Sequence, residues 1–313
     1  GVAQAFGGQP VHDGLDVHSS VFDRPHAARV EDVTGDDGQD EVVSEQIDAH
    51  DQVGPDLLDP FCSSLASVSM EIAGQGTSLR VDNAQLKPQV TVAITRWLRR
   101  QMAENVPFDR FAREILTVRG NTRSETPAAV YSVLKSPGEL ARSISQLFLG
   151  VRIECAQCHH HPFEKWAQKD YFALAGFFTG VKRDGKNGGW QKITDGPGSD
   201  LKHPRSGQVV PTAGLGSAPI TLEDPLDRRR ALSDWMTAPE NPFFARTIVN
   251  RLWAHYFGRG LVEPIDDHRA TNPASNEKLL DALASEFRRQ KYDIKAFTRT
   301  LLASRTYQLS SST

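Results

Sequence analysis

Between Pro88 and Leu301 the apolar residues fall repeatedly at intervals of three and four, and one glycine- and proline-rich stretch interrupts them. That pattern restricts the chain to amphipathic helices packed on one another, with little sheet. Val90, Ile94, Trp97 and Leu98 occupy i, i+4, i+7 and i+8 and predict a helix ending near Asn105. Pro107 opens a second helix with Phe108, Phe111, Ile115 and Leu116 turned inward. Ser136 as cap and Pro137 in the first turn start a long helix striped by Leu140, Ile144, Leu147, Phe148 and Val151. It is expected to run toward Cys155, loosened by Gly150, Val151 and Ile153. Tyr171, Phe172, Leu174, Phe177 and Phe178 mark the next helix.

Residues 183–226 are of another kind, with eight glycines and four prolines between Gly185 and Thr221. Short strands are expected at Trp190–Thr194 and Gln208–Val210, with His203 to Gly207 as the turn between strands. Helical pattern returns from Asp227. Ala231, Leu232, Trp235 and Met236 share a face, and Phe244 to Phe257 form the next helix, stopped by Gly258. Ser275 and Asp293 are the expected caps of the last two. Residues 1–60 hold fourteen acidic side chains against Arg24 and Arg29, without helical or strand period. Such a composition cannot bury enough apolar surface to offset chain entropy. The expected fold is mainly α, with two helical domains joined by a Gly/Pro-rich segment with a small β-hairpin, after a disordered N-terminal region. The divisions are 1–86, 87–182, 183–226 and 227–313.

The chemistry concentrates at residues 155–159, Cys-Ala-Gln-Cys-His, followed by His160, His161 and Pro162. Two thiols three apart with an adjoining imidazole are the pattern for covalent attachment of a c-type haem, Cys155 and Cys158 forming thioethers and His159 ligating iron. On a helix these positions share one face. A CxxC pair also serves redox disulfides and zinc half-sites, so zinc held by Cys155, Cys158, His161 and His203 stands as the alternative. Six aromatics follow Pro162 within 16 residues and offer a wall for haem, although a core uses the same residues.

Other classes find less. Three cysteines exclude a disulfide framework, and no run of 18 apolar residues spans a membrane. Beyond residue 60 the chain carries 34 basic and 25 acidic groups, scattered over helices rather than massed, so nucleic-acid binding gains no support. The first residues lack a basic region and an apolar run, so this sequence holds no signal peptide. An enzyme would draw on Asp266, Asp267 and Arg251 for acid–base work, a pattern that more often caps or solvates a helix end.

Gln146 to Trp166, QLFLGVRIECAQCHHHPFEKW, resembles the large planctomycete cytochrome-associated proteins, which pair a CxxCH-bearing domain of unknown function with a second uncharacterised domain. Asn241 to Val262 and Ser304 to Ser310 are similar to that second domain. The resemblance covers about residues 89–182 and 227–313. It implies an exported bacterial protein of the periplasm or cell envelope, with haem c on Cys155, Cys158 and His159 and electron transfer to a redox partner that remains unnamed. Residues 1–86 do not look like the family's upstream region, and the downstream domain stops early at Thr313, so the chain reads as a fragment or a gene with a shifted start. The family usually has an aromatic where His268 stands.

A six-coordinate iron needs a second axial ligand. His160 and His161 lie too near His159 to reach the opposite face. Met70 falls in the acidic region, and Met102 and Met236 on core faces. His255 reads as a helix-face histidine. His203, on the glycine-rich arm, is the preferred candidate, and an open iron is the other option.

Overall fold

The computed structural model describes residues 71–74, 77–80, 88–160, 164–185, 190–222 and 226–309. Expectations for residues 1–70, and for His161 and Phe163, lie outside them. A hairpin the sequence did not suggest pairs β1 (Glu71–Gly74) antiparallel with β2 (Thr77–Arg80). Each strand is four residues long, too short to show a period.

The helices follow the apolar stripes. α1 (Pro88–Ala103) ends two residues before Asn105, whose φ of 52° turns the chain. α2 (Phe108–Thr117) buries Phe108, Phe111, Ile115 and Leu116. A short helix, α3 (Val130–Val133), precedes α4 (Pro137–Ile144), where Ser136 and Glu139 close a reciprocal cap: Ser136 Oγ accepts from the Glu139 amide, and the Glu139 carboxylate accepts from the Ser136 amide. The long helix stops earlier than expected. One π turn, Ser145–Leu149, follows, and Gly150 ends it at φ 63°. Ser145 Oγ donates to the Val151 carbonyl at 2.7 Å and fixes this reversal.

α5 (Gln168–Ala175) leads through a 3₁₀ turn, Gly176–Phe178, into a three-stranded antiparallel sheet. Its order is β3 (Gly120–Asn121), β5 (Gln191–Asp195), β4 (Val181–Gly185). The arm beyond it folds as β6 (Leu201–Lys202) and β7 (Val209–Val210), joined by the turn through Pro204 to Ser206. This glycine-rich stretch is packed down, since Ile193, Val210, Ala213 and Leu215 are buried.

α6 (Arg228–Thr237), α7 (Phe244–Phe257), α8 (Glu277–Arg289), α9 (Ile294–Leu302) and α10 (Arg305–Gln308) complete the chain. Asn276 rather than Ser275 caps α8, because its side-chain oxygen meets the Leu279 amide at 3.0 Å. Asp293 caps α9 as expected. One hydrophobic core runs through both helical regions, from Ile94 to Leu301. Phe108 of α2 stacks on Phe244 of α7 with ring centres 5.3 Å apart, and Phe148 joins them at 6.0 and 6.3 Å. Among the described residues, no helix is long and apolar enough to cross a membrane.

Candidate functional site

The CxxCH segment stands on a 3₁₀ turn, Glu154–Gln157, rather than on an α-helix. Gly150 ends the preceding helix, so the chain reaches Cys155 as a loop. In a 3₁₀ turn, residues three apart eclipse. Ile153 and Ala156 point inward and are fully buried, whereas Cys155 and Cys158 are exposed. The two inner residues pin the loop, and the two thiols share its outer side. Both are free. The His159 amide bonds to the Cys155 carbonyl at 3.3 Å, placing the imidazole one turn beyond the first thiol.

His159 Nδ1 lies 2.6 Å from the carbonyl oxygen of His160. A carbonyl only accepts, so Nδ1 carries a proton, and in the neutral ring Nε2 then keeps its lone pair, the arrangement an iron-ligating imidazole needs. His203 is set the other way. Its Nδ1 accepts from the amides of Arg205 and Ser206, both at 3.3 Å, which leaves the proton of the neutral ring on Nε2. Ligation through Nε2 would require breaking both bonds. The turn does reach the motif, but through Arg205, whose Nη2 donates to the Cys158 carbonyl at 3.4 Å. Sequence reasoning passed over Arg205, and no local pattern marks it.

The loop is held from all sides. Glu154 pairs with Arg142 of α4 at 2.5 Å, and Gln168 of α5 donates to the Gln157 carbonyl at 2.8 Å. Arg152 pairs with Asp266 at 2.5 Å, and Gln146 donates to the other Asp266 oxygen at 2.6 Å. Asp267 is buried against Arg269 at 2.9 Å. Arg251 donates to the Gln146 carbonyl at 3.2 Å, and burial lowers its pKa against the pull of the Asp266 carboxylate. The acid–base trio of the enzyme reading is therefore engaged in holding the fold.

The aromatics after the motif serve the core. Trp166, Tyr171, Phe177 and Phe178 are buried and Phe172 is half-buried, so they do not stand as an open wall beside the thiols. Met102 and Met236 are buried as well, and His255 lies on the exposed side of α7, its pKa lowered by partial desolvation of the ring. Among the described residues, no group of three or more His, Cys, Asp or Glu gathers around one metal position. Cys155, Cys158 and His203 thus do not assemble a zinc site between them, and His161 lies outside the described residues.

Beyond the motif opens a cleft of about 400 Å³ with a mixed polar and apolar lining, Glu164, Trp166, Asn241, Arg246 and His268 among its residues. Much of its polar lining is committed. Arg246 pairs with Glu277 and Asp281, and the Asn241 side-chain oxygen accepts from the amides of Phe243 and Phe244. His268 is enclosed, and its pKa is lowered to about 4, by burial first and then by Arg246 and Arg251, against Glu277 and Asp266.

Residues 59–183 match the family model PSCyt2, a protein of unknown function (DUF1549), and residues 228–313 match PSD1, a protein of unknown function (DUF1553). The chain thus matches two models of domains of unknown function, and the name of the first, PSCyt2, carries a cytochrome label. The first match begins at residue 59, upstream of the start near residue 89 expected from the quoted residues. No curated protein and no solved structure gives a significant match.

Proposed function

We propose that this chain binds a c-type haem covalently through Cys155 and Cys158, with His159 as proximal ligand, and serves as an electron-transfer module of an exported bacterial protein. The observation that carries the reading is the His159 ring, whose Nδ1 proton is given to a backbone carbonyl beside two free, outward thiols. Addition of each S–H across a vinyl group forms one C–S bond and delivers the hydrogen to the neighbouring carbon, with no oxidant consumed. When bound, haem supplies a one-electron iron couple. Ile153 and Ala156 keep the thiols outward, and the Arg142–Glu154 and Gln168–Gln157 bonds hold the turn on which they sit. The cytochrome label in the name PSCyt2, the model that matches residues 59–183, supports the same reading.

The test is co-production with haem-maturation machinery in an exporting host. Haem absorbance that survives acid–acetone extraction in the wild type, and is lost from the Cys155→Ser/Cys158→Ser double variant, is the expected result. A colourless wild-type product, or one equivalent of zinc without iron, overturns it.

A further inference from the structure

The loop that bears the thiols is held at both ends by one short segment of the second matched region. At its start, the Gly150 carbonyl accepts from the His268 amide at 2.8 Å, and Arg152 pairs with Asp266 at 2.5 Å. At its far side, the Glu164 carboxylate accepts from the Ala270 amide at 2.7 Å. Asp266 also takes the Gln146 amide group, so both its oxygens are bound to the element leading into the loop. The holding segment is itself fixed. Asn250 of α7 donates to the carbonyls of Val262 and Ile265, and Asn272 donates to that of Asp267. Charge-assisted bonds of this kind are among the stronger ones, and the Arg152–Asp266 pair is only partly open to water.

We propose that Asp266–Ala270 is the positioning element of the CxxCH loop, with Asp266 its principal positioning residue. The second region would then be a working part of the cofactor site while contributing no ligand to it. This inference rests on the haem reading for its purpose, but its physical content does not need haem.

The experiment uses the full chain in two forms. In the haem-free form, hydrogen exchange of peptides spanning 150–166 is compared among wild type, Asp266→Asn and Glu164→Gln, together with alkylation rates of Cys155 and Cys158. Asp266→Asn is expected to speed exchange in that segment by about tenfold or more while peptides from α8 and α9 keep their rates. Glu164→Gln, a milder change, is expected to speed only the part beyond Cys158. Asp266→Glu is expected to restore much of the protection. In the haem-loaded form, Asp266→Asn is expected to shift the midpoint potential and the absorption spectrum, which a purely global loss of stability would not do. Unchanged local exchange in both variants overturns the inference. Should Asp266→Asn fail to fold, the Glu164→Gln result decides. A wild type that takes no haem defeats the functional reading and leaves the exchange comparison intact.

Discussion

A β-carbon placed on Gly150 would stand 2.4 Å from Cδ2 of His268 and 2.8 Å from Oγ1 of Thr247. Gly150 also sits at φ 63°, where side chains are disfavoured. Gly150→Ala is therefore expected to cost about 2 kcal/mol or more, combining left-handed strain with overpacking. A lowered denaturation midpoint with an unchanged m-value would show it; an unchanged midpoint would mean that the loop yields freely there.

His268 gives the chain an acid-sensitive limb. Its folded pKa of about 4 lies below the unfolded value of about 6.5. Between these values the unfolded chain takes up a proton that the folded chain refuses, so stability falls as pH drops from about 6.5 to about 4. The full span corresponds to about 3 kcal/mol, since one pKa unit is about 1.4 kcal/mol. His268→Phe is expected to flatten this limb in urea titrations across that range. An identical pH slope in the variant would assign the effect to other groups.

Asp195 and Arg229 form a buried pair at 2.7 Å that ties the central strand β5 to α6. Arg229 also donates to the Val118 carbonyl and lies over the Tyr131 ring, 4.9 Å from its centre. Asp195→Asn leaves the guanidinium buried without its counter-charge, a change worth about 3 kcal/mol or more. Thermal melts of the full chain would read it, and a drop below about 1 kcal/mol would mean that the strand and helix part to let water reach the arginine.

The haem-loaded protein is expected to take up added imidazole readily. Met102 and Met236 are buried in the core, and the His203 ring presents an N–H rather than a lone pair at Nε2. A shift of the main absorption band on adding imidazole, equal in wild type and His203→Ala, is the expected outcome. A wild type that resists imidazole until His203 is removed would make His203 the second ligand after all.

The helices were legible because their signals are local. Ser136 with Glu139, and Asp293 with the Ala296 amide, form caps within three residues, and the buried stripes of α2 and α4 follow their spacing. Where tertiary demands prevail, that legibility fails. The helix expected to run toward Cys155 and to loosen from Gly150 onward stops at Gly150 itself, whose reversal brings its carbonyl to His268. The thiols and His159 could be named from their spacing, but not the partner of Arg152, which lies 114 residues away. The aromatics after Pro162 suit a haem wall and a core equally by composition, and packing takes Trp166, Tyr171, Phe177 and Phe178 into the core. The tautomers of His159 and His203 depend on backbone groups that sequence does not reveal.

The Phe108–Phe244 stack bears on how such a gene can be cut and rearranged. Separating 59–183 from 228–313 would leave Phe108 and Phe148 facing water where Phe244 now lies. Each half produced alone is expected to aggregate, and co-production to restore soluble protein. The two regions thus make one folding unit, since neither can bury its own share of the common core without the other.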